Sequence, residues 1–291
     1  MFSIHSLVVL NDGITLASGS SDNTIKLWNI LDGTELKTLK GHYNGVDCLA
    51  VLNDGTTLVS GSRDNSIKLW NTFTGIAIKT LKGHTSSVYY LLVLKDGTLI
   101  SCSNDGTIKF WNSYSYEIFN TLKGHTNAVS CLALLNNNIL ASGSYDRTIK
   151  LWSLVLTNNE SKLIQTLIGH NGCVYCLTLL NDGIHLASSS DDRTIRIWNI
   201  INNYSQVRIL SGHQDSIQTL IVLNDGTLAS GSDDKTIKLW DTSNGEIIKT
   251  LNGHSGTIYS LVVLNNGILV SCSGDKTIKL WNTKLSAFLK V

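Results

Sequence analysis

Seven tryptophans stand at positions 28, 70, 111, 152, 198, 240 and 281, at intervals of 42, 41, 41, 46, 42 and 41 residues. A spacing this regular means that one structural unit has been written seven times. A unit of about 40 residues is too small to bury a core alone, so it is stable only when its apolar faces lie on its neighbours. The chain is therefore expected to form one body spanning residues 1–291, although its length alone would suggest two domains.

The stretch 41–82 is the clearest copy. Gly41-His42 opens it, and Val46 to Leu52 is apolar enough for an inner strand ending at the turn Asn53-Asp54-Gly55. Leu58 to Ser62 reads as a second strand and Arg63-Asp64-Asn65 as a tight turn. Ser66 to Trp70 reads as a third strand alternating between faces, and Ile76 to Leu81 as an outer strand leading to Gly83-His84. Runs of this length bounded by Asn, Asp and Gly are strand and hairpin signals, and nothing shows a helical period. With no proline in the chain, the turns rely on residues that tolerate positive φ. The fold class expected is all-β: a seven-bladed β-propeller with four antiparallel strands per blade and no substantial helix. Its units run approximately 1–40, 41–82, 83–123, 124–168, 169–211, 212–252 and 253–291.

The net charge of +1 supplies no field for a polyanion, which argues against nucleic acid as a partner. No apolar run reaches membrane-spanning length, which argues against a membrane partner. The stretch Met1 to Leu10 lacks a basic leader and overlays residues 43–52, so it reads as a strand rather than an export signal, and a cytoplasmic location is expected. Of the six cysteines, Cys48, Cys131 and Cys176 share one repeat position, while Cys102 and Cys272 replace the Gly of Ser-Gly-Ser. Cys173-Val-Tyr-Cys176 has redox spacing, but residues three apart on a strand point to opposite faces. All six read as buried, reduced, inert thiols. Longer connections follow Trp152 and Trp198 and carry Asn159-Glu160-Ser161 and Asn203-Tyr204-Ser205, which read as chance sequons.

Gly-His at 41–42, 83–84, 124–125, 169–170, 212–213 and 253–254, a Ser ten residues and an Asp six residues before every Trp, and Ile-Lys-Leu-Trp itself recur in register. Together they resemble the WD-repeat (WD40) β-propeller family over essentially the whole chain. Two departures are plain: only Trp240-Asp241 spells the dipeptide, and the proline usual before the first Asp-Gly turn is absent.

Ser, His and Asp together suggest a nucleophile, its base and an orienting carboxylate. Catalysis needs one site, however, and here the set recurs as His42, Ser60, Asp64, Trp70; His84, Ser101, Asp105, Trp111; His125, Ser142, Asp146, Trp152; His170, Ser188, Asp192, Trp198; His213, Ser230, Asp234, Trp240; and His254, Ser271, Asp275, Trp281. The expected role is a structural hydrogen-bond chain from indole N–H to Ser to His to Asp, which the resemblance also implies. The first unit keeps Ser18, Asp22 and Trp28, but the position of its His falls ahead of Met1. On this alignment the first residues supply the inner strand of blade 1, and Ala287 to Val291 the outer strand of blade 7. Closure would then rest on packing of blade 7 against blade 1, or the chain is a piece of a longer protein. The Lys or Arg of the third strand, Lys26, Lys68, Lys109, Lys150, Arg196, Lys238 and Lys279, reads as a stem beside the sheet with its charge in water.

Positions that vary between copies are free to specify a partner. The second inner-strand residue reads His5, Asp47, Tyr89, Ser130, Tyr175, Gln218, Tyr259, and the residue before each turn Asp reads Ser21, Arg63, Asn104, Tyr145, Asp191, Asp233, Gly274. Both rows should ring the mouth of the channel, where the resemblance implies peptide binding. The candidate partner-binding residues are Asp47, Arg63, Tyr89, Tyr145, Tyr175, Asp191, Gln218, Asp233 and Tyr259. The leading expectation is a non-catalytic scaffold, a monomeric ring alone or within a longer chain or complex, docking protein or peptide segments that carry Lys or Arg. A second reading is a phosphopeptide-recognising adaptor of ubiquitin-ligase type using Arg63, Arg147 and Arg193. A third, a propeller enzyme, is disfavoured because no acid, base or metal cluster breaks the sevenfold pattern. No catalytic residue, cofactor site or metal site is singled out.

Overall fold

The computed structural model describes residues 2–135, 138–154, 161–201, 203–283 and 287–289. Its strands form seven four-stranded sheets, each with strands paired antiparallel in sequence order, arranged as a seven-bladed β-propeller. In blade 2 they are Val46–Val51, Thr57–Ser62, Ser66–Asn71 and Ala77–Lys82. No α-helix occurs among the described residues.

Position within a blade decides composition. The second strand is enclosed on both faces, so Thr57–Ser62 is buried along its whole length and reads Thr-Leu-Val-Ser-Gly-Ser rather than alternating. Its small residues answer to space. A Cβ on Gly61 would come within 2.5 Å of the Cys48 Sγ and 2.7 Å of Val88 from the next blade. The outer strand Ala77–Lys82 buries only Leu81, which faces the adjoining blade. Each turn that closes the second strand on the third places its last residue in the left-handed region, as at Asn65 (φ 68), Arg147 (φ 71) and Arg193 (φ 66).

Blade 1 runs from Ile4–Val9 at the centre to Glu35–Lys40 at the rim, and blade 7 from Ile258–Val263 to Ala287–Leu289. They meet face to face. The Leu7 amide donates to the Ser260 hydroxyl at 3.3 Å, and Leu7 and Leu16 share a cluster with Leu264, Val270, Cys272 and Leu280. In blades 1 to 6 a bulge beside the Trp shifts the outer strand, as between Leu239 and Trp240. In blade 7, Trp281↔Phe288 and Leu280↔Leu289 follow without a shift.

Two sequence expectations are corrected. Cys173 stands just ahead of the strand Val174–Leu179 rather than on it, and both Cys173 and Cys176 are only partly buried. Their Sγ atoms face different blades, Cys173 the Tyr145 carbonyl at 3.8 Å and Cys176 the Leu220 carbonyl at 3.7 Å. The third-strand lysines do not simply leave their amines in water. Lys68 donates to the Thr80 hydroxyl at 2.7 Å and Lys238 to that of Thr250 at 3.0 Å, bracing the third strand against the outer one, while Lys26 pairs with Glu35. The sequon at Asn159 and residues Lys290 and Val291 lie outside the described residues.

Candidate interaction rim and its supporting network

In six blades the same chain of atoms links the third strand to the Gly-His loop. Each indole Nε1 donates to the Ser Oγ at 2.7–2.8 Å, in Trp70–Ser60, Trp111–Ser101, Trp152–Ser142, Trp198–Ser188, Trp240–Ser230 and Trp281–Ser271. The His Nε2 lies 2.7–2.8 Å from that oxygen, at His42, His84, His125, His170, His213 and His254. Each Nδ1 lies 2.7–2.8 Å from the carboxylate of Asp64, Asp105, Asp146, Asp192, Asp234 or Asp275. An indole N–H can only donate, so the Ser proton goes to Nε2, and Nδ1 carries the hydrogen given to Asp. Every donor is thereby matched. The six Ser side chains are fully buried and already accept an indole N–H, so no substrate reaches them as nucleophiles.

Burial alone would raise these carboxyls. Hydrogen bonds from His, from a hydroxyl two residues on and from a backbone amide outweigh it. They hold Asp64, Asp105, Asp146, Asp192 and Asp234 well below the usual carboxylate range, and Asp275 at about 2. A depressed folded-state pKa contributes stability that is complete above the ordinary value of 3.8 and is lost as pH falls through the folded one. The urea midpoint should therefore hold from pH 7 to about 4 and then decline steadily toward pH 2. A midpoint unchanged between pH 5 and 2.5 would contradict this.

The two variable rows come together at the channel mouth for a reason the sequence does not display. In all seven blades the second inner-strand residue is a bulge. The ladder skips His5, Asp47, Tyr89, Ser130, Tyr175, Gln218 and Tyr259 while their neighbours pair normally. A bulge re-aims its side chain, here toward the axis. The residue before each turn Asp then donates its amide to the carbonyl two residues ahead of the bulge, as Arg63 to Gly45 at 2.9 Å and Tyr145 to Ala128 at 2.9 Å, which sets the two rows side by side. They open on a central cavity of about 750 Å³ lined at its mouth by His5, Asp47, Arg63, Tyr89, Tyr145, Tyr175, Gln218 and Tyr259. Tyr145 forms the middle of an aromatic run, stacked on Tyr89 at 5.9 Å and edge-on to Tyr175 at 5.7 Å.

Residues 91–289 match the family model of the TEP-1 second beta-propeller, and residues 2–29 and 33–71 match that of the WD domain, G-beta repeat. The chain belongs to the WD40 β-propeller family. No curated protein matches it. WD40 propellers are in general protein-interaction scaffolds that bind protein partners and are typically non-catalytic.

On this WD40 ring the rim's charges are not equivalent. Arg63 Nε donates to both Asp47 oxygens at 3.0 Å, so these two neutralise each other. His5 packs its ring tilted against Tyr259 at 4.6 Å beside that pair, its pKa lowered chiefly by burial. The opposite sector is acidic. Asp191, exposed, accepts from the Ser216 hydroxyl of the next blade at 2.6 Å, and Asp233 accepts from Gln218 Nε2 at 3.1 Å. Asp233 Oδ1 is shielded from solvent without a hydrogen-bond partner. Burial raises the Asp233 carboxyl against the hydrogen bond from Gln218, and the Asp215 and Asp191 carboxylates add to the rise. Asp191 and Asp233 are not among the residues that line the cavity itself. Sequence comparison between blades missed Ser216 and Asp215. Their repeat positions lie one and two residues outside the inner strand, where nothing but variability would mark them.

Proposed function

We propose that this WD40 ring docks an extended protein segment across the channel mouth, and that the segment places a Lys or Arg against Asp191 and Asp233 while its neighbours lie on Tyr89, Tyr145 and Tyr175. The observation that supports this is the internal pairing of Arg63 with Asp47, which leaves the Asp191–Asp233 sector as the uncompensated charge beside an aromatic wall. Aromatic anchors ringed by a charged rim are what hot spots favour, and the charge sets specificity and on-rate more than affinity. The same pairing weighs against phosphopeptide capture. Arg63, the arginine that lines the cavity, is already engaged by a carboxylate. A cytoplasmic setting belongs to this proposal, in keeping with six free thiols.

Selection from a displayed peptide library tests it. Enriched sequences are expected to carry Lys or Arg. Binding should weaken about tenfold or more in the Asp191→Asn, Asp233→Asn double variant and hold or strengthen in Arg63→Ala, which releases the Asp47 carboxylate. Enrichment of phosphorylated or acidic peptides, with loss of binding in Arg63→Ala, would favour the adaptor reading instead.

A further inference from the structure

The end of the ring opposite the Gly-His loops carries a second ordered surface. There the turn between the first and second strands meets the turn between the third and fourth. The Ile30 amide donates to the Ile14 carbonyl at 2.9 Å, and the Thr72 amide to that of Thr56 at 3.1 Å. The third residue after the Trp stands on the outer of the two turns. In blades 1, 2 and 3 it is Leu31, Phe73 and Tyr114, exposed by 76%, 87% and 89%. A lone exposed apolar side chain means little, but one repeat position kept large, apolar and bare on three consecutive blades forms a row. The architecture does not demand it, since blade 6 has Ser243 at that position.

Each tip rides on a fastened turn. Asn29 Oδ1 accepts the Leu31 amide at 2.9 Å, and Asn71 Oδ1 that of Thr74 at 2.8 Å. Asn112 Oδ1 accepts those of Tyr114 and Ser115 at 2.9 and 3.0 Å. The carbonyls of the same three Asn residues accept from the amides of Gly33, Gly75 and Tyr116 at 2.8–2.9 Å. From the neighbouring outer strands, Lys37 donates to the Phe73 carbonyl and Lys79 to that of Ser115 at 2.8 Å. These amides are therefore committed within the turns. An extended segment has no ladder to join here, whereas a helix brings a backbone that is already satisfied.

Nearer the axis than the apolar row runs an acidic one. The inner turns place exposed Asp12, Asp54 and Asp96, and the outer turns add Asp32 and Glu117, against Lys95 and the engaged amines of Lys37 and Lys79. Partial burial works to raise the carboxyls of Asp12 and Asp54. Hydrogen bonds from Thr15 and Thr57 and from nearby amides outweigh it and keep both below the usual range, so they stay charged. Two such faces repel each other, and each repels an anionic bilayer.

We propose that this end of blades 1 to 3 is a docking surface for a basic amphipathic helix of a partner protein. Its apolar stripe lies on Leu31, Phe73 and Tyr114, and its Lys or Arg residues face Asp12, Asp54 and Asp96. The surface is at the other end of the ring from the rim, so it does not depend on what the rim binds.

The probe is an end-blocked peptide of about 18 residues, long enough to be helical alone, with Leu at i, i+3, i+4 and i+7 and Lys along one flank of that stripe. A scrambled peptide of the same composition keeps the charge and loses the stripe. By anisotropy, the first should bind saturably and about tenfold or more tighter than the second. Its affinity should fall about tenfold or more in the Leu31→Ser, Phe73→Ser, Tyr114→Ser triple variant and stay unchanged in Asp191→Asn, Asp233→Asn. Because the three tips are exposed, the triple variant should melt with the native ring, which separates lost binding from lost folding. Added salt should weaken binding to the native ring more than to Asp12→Asn, Asp54→Asn, Asp96→Asn. Equal binding of the scrambled peptide, or loss of binding in the rim variant instead of the tip variant, would overturn the proposal. So would sedimentation with lipid vesicles that depends on the three tips, which assigns the row to a membrane, or dimers that vanish in the triple variant, which assign it to a second copy of this chain.

Discussion

Alanine in place of Trp240 will destabilise the ring by about 3–5 kcal/mol, the range for removing a buried aromatic side chain, and alanine in place of Trp28 will cost clearly less. Trp240 is fully buried. It packs with Leu180, Ile195 and Leu210 of the preceding blade, so its loss opens a cavity at a joint between blades as well as within one. It also strips Ser230 Oγ of the indole N–H that it accepts at 2.7 Å, and leaves His213 and Asp234 in a network broken at one end. Breaking a buried network costs more than one hydrogen bond's net share, because the stranded groups remain desolvated. Against a whole-protein stability of about 5–15 kcal/mol, this places the variant near its limit at ordinary temperature. Trp28 makes the same bond to Ser18 at 2.8 Å, but its ring is partly open to solvent and, among the described residues, no imidazole follows it. Denaturant titrations of the two variants under one set of conditions measure the contrast, and equal losses would refute it.

The contrast between those tryptophans shows what a repeat sequence discloses. The period and the four strand-length runs per unit follow from residue order, because each blade is built from near neighbours in the chain. In blade 2 the observed strands start and stop within about a residue of where their turn residues place them. The Trp–Ser–His–Asp chain is equally local in pattern, since its four residues recur at fixed offsets in six units. Features created by distance are another matter. The bulge at Asp47 or Tyr89 arises from how the inner strand pairs with the second one, and nothing in Val46-Asp47-Cys48 marks it. The mutual neutralisation of Arg63 and Asp47 depends on a contact between positions 16 residues apart that only the bulge brings together. Without it, Arg63 reads as a phosphate ligand and Asp47 as a lysine acceptor, and neither is free for that work. The packing of Leu7 and Leu16 with Val270 and Leu280 likewise joins residues of blade 1 to residues of blade 7 at the far end of the chain.

At the rim, Tyr145→Ala is expected to weaken a bound basic segment by about thirtyfold or more, the loss of about 2 kcal/mol that defines a hot spot, while Tyr145→Phe keeps most of the affinity. Tyr145 is singled out because it belongs to both neighbouring pairs, stacking on Tyr89 and meeting Tyr175 edge-on. Removing it unseats two rings as well as its own contact surface. Burial and the adjacent phenols raise its own hydroxyl well above the usual tyrosine range, so it stays protonated and adds no negative charge to the acidic sector at neutral pH. Each aromatic pair contributes about 0.5–1.5 kcal/mol, so some stability is lost as well, but far less than the Trp240 variant loses. Affinity should therefore fall steeply while the melting temperature moves by only a few degrees. The opposite pattern, a lowered melting temperature with unchanged affinity for the selected peptide, would mean that the three rings serve the blades and not a partner. The salt dependence separates the remaining contributions. Raising ionic strength should weaken binding through Asp191 and Asp233 in the native ring and in Tyr145→Phe alike, and should hardly affect what binding survives in the Asp191→Asn, Asp233→Asn variant, because the aromatic contact is not screened.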